Sequence, residues 1–185
     1  LDGHTRYRIL KKHGFIKFEV EEIQLANKYE ALAWICKNQL GRRNLSPERK
    51  KFLLGKEYES TKLAVGGQPG NCNKVNRCDQ NDHIDSEKRT CERIAVEHGV
   101  GSATVRRAEK YSRGIDAAEE AVPGAQEEIL TGHIKATDEQ IVALASIPKE
   151  ERPAILEELK KKKSDRDDTV LERLKPNRPP PKQKS

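Results

Sequence analysis

At 185 residues the chain has room for one or two small domains, and 34% hydrophobic against 36% charged residues suits small helical units better than one large core. No run approaches the about 18 apolar residues of a membrane-spanning helix, so a membrane partner is not expected. The net charge of +6 is uneven: residues 160–185 hold ten Lys or Arg against four Asp or Glu, and the rest of the chain balances. Overall basicity is therefore weak support for nucleic-acid binding, and local clusters have to carry that case.

The chain has no Met and starts at Leu1, which reads as a fragment or a trimmed chain whose first element lies upstream. No secretory pattern opens it, so its four cysteines read as reduced thiols of a cytoplasmic protein, nucleoid- or plasmid-associated if it binds DNA.

Asp2 is placed to cap a helix over residues 4–13, with Ile9 and Leu10 inward and Gly14 as its stop. Residues 16–21 alternate apolar and charged side chains, as a half-buried strand does. Helical spacing returns over residues 28–40, with Leu32, Ile35 and Cys36 on one face. Ser46, Pro47 and Glu48 then supply a cap, a first-turn proline and an acid at the positive end of the next helix. That helix carries Phe52 and Leu53 and is expected to end near Leu63. Residues 65–85 are rich in turn formers and read as a flexible linker. Helices follow over residues 86–159, punctuated by Gly99, Gly114, Pro123, Gly132 and Pro148. Residues 160–185 read as a basic disordered tail, able to touch phosphates or simply solvated.

Within this second region, residues 91–111 read as a helix-turn-helix. Ile94 and Ala95 face a partner helix, Gly99 suits a sharp turn, Val100 plugs the corner, and Ser102 caps the second helix. Val105 and Ala108 give that helix an inward face, while Ala103, Thr104, Arg106, Arg107 and Lys110 point outward. Ser102, Ala103, Thr104, Arg106, Arg107 and Lys110 are therefore the expected contacts to double-stranded DNA in the major groove. The alternative is an ordinary helical hairpin with a solvated basic face.

Two N-terminal stretches complete the pattern. Gly3 and Arg6 open the first helix in a way suited to an anion, and Arg42 and Arg43 lie in a polar loop before the capped helix. On spacing alone Arg6, Arg42 and Arg43 read more readily as surface ion-pair partners. In this order the elements resemble the ParB family of partition proteins over roughly residues 1–130. The resemblance implies a partial ParB/sulfiredoxin-like α/β domain followed by an all-α helix-turn-helix domain, that is, a mainly α chain with a small α/β N-terminal part. It implies CTP with Mg²⁺ as ligand, with Gly3, Arg6 and Arg42 at the nucleotide phosphates, and as partners a partition ATPase and a second copy of the chain. His4 and Thr5 replace two residues of the family's Gly-Glu-Arg-Arg box, and Asn38 stands where the metal-side Glu belongs. Binding of nucleotide is then a better expectation than its hydrolysis. Dimerisation through a C-terminal coiled coil is not expected, because Val170, Leu171 and Leu174 are too few for a heptad seam.

The domains expected are 1–64, the linker 65–85, the DNA-binding domain 86–159 and the tail 160–185. The function expected is sequence-specific DNA binding of ParB type in plasmid or mobile-element partition. A local transcription regulator without a nucleotide switch, and a nucleotide hydrolase or nuclease, are the alternatives. Cys72, Cys78, His83 and Cys91 do not have the spacing of a common zinc module, and no metal site or catalytic residue is assigned. Glu19 and Glu21 on one strand face, and the acids between Asp116 and Glu128, read as solvated surface and not as a nuclease's metal ligands.

Overall fold

In the computed structural model, residues 3–14, 21–64, 89–161 and 165–174 are described, and among them there are nine α-helices and no strand. The chain is thus mainly α. The strand expected at residues 16–21 lies outside the described residues except for Glu21, as do the linker 65–85 and three members of the cysteine and histidine set, Cys72, Cys78 and His83.

Helix α1 (His4–His13) stops at Gly14, whose φ of 62° lets its N–H reach the Leu10 carbonyl. Asp2 lies outside the described residues, and the residue flanking the first turn is Gly3, with φ 82°. No residue of α1 is buried, and Ile9, expected inward, is 53% exposed. Helix α2 (Lys28–Leu40) is capped by Asn27, whose side-chain oxygen accepts from the N–H groups of Tyr29 and Glu30. Its buried residue is Cys36; Leu32, expected on the same face, is 47% exposed. Helix α3 (Pro47–Ala64) begins as its sequence dictates, with the Ser46 hydroxyl accepting from the Arg49 N–H at 3.2 Å.

The centre of the fold is α5 (Ser102–Ala121), preceded by α4 (Thr90–Glu97). Val105, Ala108, Ser112, Ile115 and Ala118 recur every three or four residues along α5 and are buried, as is Tyr111. The first two join Leu54, Cys91, Ile94 and Ala95 in a small cluster. Tyr111, Ile115 and Ala118 join a larger core with Phe52 and the apolar residues of the helices that follow. Each such aliphatic side chain contributes about 1.5–3 kcal/mol when fully buried.

The larger core is closed by α6 (Ala125–Leu130), α7 (Asp138–Leu144), α8 (Arg152–Lys160), the short α9 (Asp168–Leu171) and a 3₁₀ turn (Glu172–Leu174). Two helix pairs approach so closely that only glycine fits. A Cβ on Gly55 of α3 would lie 2.2 Å from the Ala108 carbonyl oxygen of α5, and one on Gly114 of α5 would lie 2.0 Å from the Ile141 carbonyl oxygen of α7. Gly114 is therefore a crossing point inside a continuous helix, not the break expected from the sequence. The approach at Gly55 also joins α3 to the same body as α4 and α5, across the expected boundary between 64 and 86.

The expectation of a solvated basic tail from residue 160 is corrected at residues 160–161 and 165–174. Leu171 and Leu174 are buried in the chain's own core, and Val170 packs beside them. The Arg166 guanidinium donates to the carbonyls of Leu159, Lys135 and Lys161 at 2.7, 2.8 and 3.1 Å, tying helix ends together. Lys160 pairs with Glu128 and Glu157, Lys161 with Glu158, and Arg173 with Glu151. All four basic residues described there, Lys160, Lys161, Arg166 and Arg173, thus have internal partners.

Burial governs the titration of Tyr111. Tyr111 is 2% exposed, and burial pushes its phenol from the usual 10.0 to about 12. The folded state then holds a proton that the unfolded chain releases, so stability falls as pH rises from 10.0 towards 12. In a phenolate-absorbance titration, Tyr111→Phe should remove a late, high-pH step from the curve. A high-pH end unchanged in that variant would contradict the packing.

Candidate nucleic-acid interface

Helix α4 ends in a tight turn whose hydrogen bonds are set by Gly99. Its φ of 63° lets the Gly99 N–H reach the Val96 carbonyl at 3.3 Å and the Val100 N–H reach the Ala95 carbonyl at 2.9 Å. This is a Schellman closure, in which two of the last helical carbonyls find donors. Nothing lies within 4 Å of a Cβ built on Gly99, so the conformation and not space demands glycine.

Two details differ from expectation. Val100, expected to plug the corner, is 36% exposed, because the Schellman bond holds its backbone and leaves the side chain at the surface. The residue flanking the start of α5 is Gly101, so Ser102 is the first helical residue and not the cap. With no side chain capping this end, the first N–H groups of α5 are left to the backbone of Gly101 and to solvent.

The outward face is as the periodicity required. Ala103, Thr104, Arg106, Arg107 and Lys110 are exposed, Ser102 is half-buried, and Val105 and Ala108 are sealed beneath them. Among the described residues Arg106, Arg107 and Lys110 have no ion-pair partner, although opposite charges are plentiful. One turn further along, Arg113 is equally accessible but pairs with Glu109 at 2.8 Å and Glu59 at 3.6 Å. Glu109 also takes Lys62, and Asp116 takes Lys56. The two halves of α5 thus differ: the C-terminal half has its charges matched, and the N-terminal half presents uncompensated cations.

Beside this face runs a half-open cavity of about 870 Å³ between α5 and α7, lined by Thr104, Arg107, Lys110, Val142, Lys51 and Arg173 among others. Lys51 comes from α3 and Arg173 from the last 3₁₀ turn, so neither could be linked to the site by local spacing. Lys51 pairs with Asp138 and Arg173 with Glu151, which makes both weaker candidates than Arg107 for an external anion. Arg93, on the exposed side of α4, is a further cation without an ion-pair partner among the described residues.

The acids between 116 and 128 are not idle surface, as the sequence suggested. Besides the Asp116–Lys56 pair, Glu119 accepts from the N–H groups of Gly124 and Gln126, Glu120 pairs with Lys149 and Arg152, and Glu127 pairs with Arg49. Glu119 consequently sits below the usual carboxylate range through its two backbone donors. Glu21 is exposed, and Glu19 lies outside the described residues.

The N-terminal trio comes from two elements. Gly3 and Arg6 share the first turn of α1, whereas Arg42 lies beyond the end of α2, and α1 packs extensively on no other described helix. At the position where the resemblance requires a metal-side carboxylate, the Asn38 amide donates to the Trp34 carbonyl at 3.0 Å. An amide turned back onto its own helix supplies no anionic oxygen, so these residues do not fit a Mg²⁺-nucleotide complex.

A charge cluster that local reading missed lies behind the turn. The Glu57 carboxylate on α3 is buried and meets His98 Nε2, at the end of α4, at 2.8 Å, with Glu97 beside them. Residues 57 and 98 are too far apart in the sequence for any motif to have paired them. Burial is the largest influence on Glu57 and pushes its carboxyl above the usual range, against the pull of His98. Compared with protein-family models, with curated proteins and with solved structures, the chain finds no match in any of the three.

Proposed function

We propose that the chain is a sequence-specific double-stranded DNA-binding protein that reads the major groove with the N-terminal half of α5. In this reading α4, the Gly99 turn and α5 form a helix-turn-helix, and the resemblance noted in the sequence makes it a ParB-type protein of plasmid or mobile-element partition. The observation that carries it is the set of cations Arg106, Arg107 and Lys110, without ion-pair partners among the described residues, on one exposed face above a sealed apolar base. Cations left without internal partners suit phosphates and guanine edges, and the small residues Ala103 and Thr104 let the helix end approach bases closely. The uncapped first turn of α5 offers N–H groups to a phosphate.

The test is selection from random DNA followed by gel-shift titration of the recovered site. Arg106→Ala and Arg107→Ala should each weaken binding by about 1–3 kcal/mol, and the one that reads a base should also relax specificity at one position. If both variants bind like the unmodified chain, the assignment of this helix is wrong.

A second reading, a local transcription regulator without a nucleotide switch, is favoured by the Asn38 geometry. Calorimetric titration with CTP, ATP and GTP in the presence of Mg²⁺ separates the two. No heat with any of them is the expected result for the switchless reader, and saturable CTP binding would restore the nucleotide-switched one. A partition ATPase and a second copy of the chain are partners only of the partition reading. Nucleotide or phosphodiester hydrolysis has no assembled carboxylate set behind it among the described residues at the N-terminal boxes.

A further inference from the structure

We propose that Glu57, Glu97 and His98 form a binding site for a transition-metal dication of the zinc class, which ties α3 to the end of α4. One ligand atom from each lies within 4.8 Å of the other two. Tetrahedral zinc with nitrogen and oxygen ligands at about 2.0–2.2 Å needs ligand atoms roughly 3.4 Å apart, so side-chain rotation at exposed Glu97 and half-buried His98 suffices to close the set.

The chemistry of the cluster asks for a cation. Glu57 is only 4% exposed, and a carboxylate taken from water is costly unless matched by charge. Its hydrogen-bonded partner is the His98 imidazole, whose Nε2 is itself a good ligand atom for a transition metal. A second carboxylate, Glu97, lies close enough to repel it. The cation on hand, Lys37, pairs with Glu97 on the exposed side. A dication bound by all three would neutralise both carboxylates and take the neutral imidazole nitrogen as its third ligand, leaving a fourth position to water. The imidazole selects zinc, cobalt or nickel over Mg²⁺ and Ca²⁺, which prefer oxygen-only sets. Lys37 would have to release Glu97 for the site to fill.

The site lies directly behind the turn, since His98 is the residue at which α4 ends. A bound metal would brace α4 against α3 at the point from which α5 departs.

The full chain, stripped of metal and dialysed, is titrated with Zn²⁺ and separately with Co²⁺, Mg²⁺ and Ca²⁺, with melting temperature and the visible spectrum of the cobalt form as readouts. Zn²⁺ should raise the melting temperature, Co²⁺ should give the intense visible bands of a low-coordinate site, and Mg²⁺ and Ca²⁺ should do neither. His98→Gln and Glu97→Gln should each weaken Zn²⁺ binding by about tenfold or more. Because Glu97 is exposed, its variant keeps the test decisive if Glu57→Gln fails to fold. Binding unchanged in both variants would overturn the proposal and move the metal to another set, such as one containing Cys72, Cys78 and His83. No stabilisation of the unmodified chain by Zn²⁺ would also overturn it.

Discussion

Replacing Gly114 by alanine should destabilise the chain by about 3 kcal/mol or more, although alanine is by itself the better helix former. Intrinsic propensity favours the change by roughly 1 kcal/mol in a helix interior. Opposing it, the new Cβ would lie 2.0 Å from the Ile141 carbonyl oxygen, 2.6 Å from its carbon and 3.0 Å from its Cγ2. Two of these atoms are backbone and cannot rotate aside, so α5 and α7 would have to separate. Separation would loosen the core around Ile115 and Leu144, both fully buried. For a chain of this size the melting temperature should drop by roughly 6–12 °C. A variant within about 1 kcal/mol of the original in denaturant titration would mean that the crossing is wider than the structure has it.

Gly55→Ala should cost about as much, but in a different place. Here the Cβ would meet the Ala108 carbonyl oxygen at 2.2 Å, its carbon at 2.6 Å and the Ser112 hydroxyl at 2.7 Å. The hydroxyl is bonded to the Glu109 carbonyl at 2.9 Å and would have to break that bond to move; the Ala108 carbonyl has no such freedom. The strain falls on the small cluster of Leu54, Ile94, Val105 and Ala108 that seats the N-terminal half of α5. A loss of about 3 kcal/mol is expected here too, and DNA affinity measured well below the melting point should weaken as well. Gly114→Ala, remote from that half, should leave DNA affinity of the folded fraction near its original value. Equal effects of both variants on DNA binding would argue against the N-terminal half of α5 as the reader.

Local signals in this sequence were informative where one residue decides the outcome. Gly14 ended α1, and Ser46 with Pro47 opened α3, because a cap or a positive φ is chosen within one turn. Faces were less legible. Leu32 obeys helical spacing yet is exposed, since periodicity states which side chains share a face but not whether another element covers it. Gly114 and Gly55 show the same limit from the other side. A glycine inside a helix looks like a break until the crossing partner is known, and Ile141 and Ala108 are supplied by the tertiary structure alone.

The proposed reading face was the easiest site to see, because its cations and its buried Val105 and Ala108 lie on one helix within three turns. What makes the face distinctive is that, among the described residues, Arg106, Arg107 and Lys110 have no ion-pair partner while Arg113 has, and no count along the sequence could show that. The tail misled for the same reason: Arg166 looked like one more solvated charge, and it is a clamp on three carbonyls. Charge counted along a sequence is an upper limit on charge available to a ligand.

Helix α5 is one unbroken rod of 20 residues, exposed and cationic along one side near its start and packed on one side against the larger core through its second half. A surface loop can order and disorder on its own, whereas this segment is continuous with the helix that carries Ile115 into the larger core, and we expect the two to open together. Hydrogen exchange at Ala108 and Tyr111 should therefore require opening of the whole body. Any ligand held by Arg106 and Arg107 would slow exchange as far away as α7, and a lesion in the distant core would be felt as a loss of reading heads, not as a change in what they read.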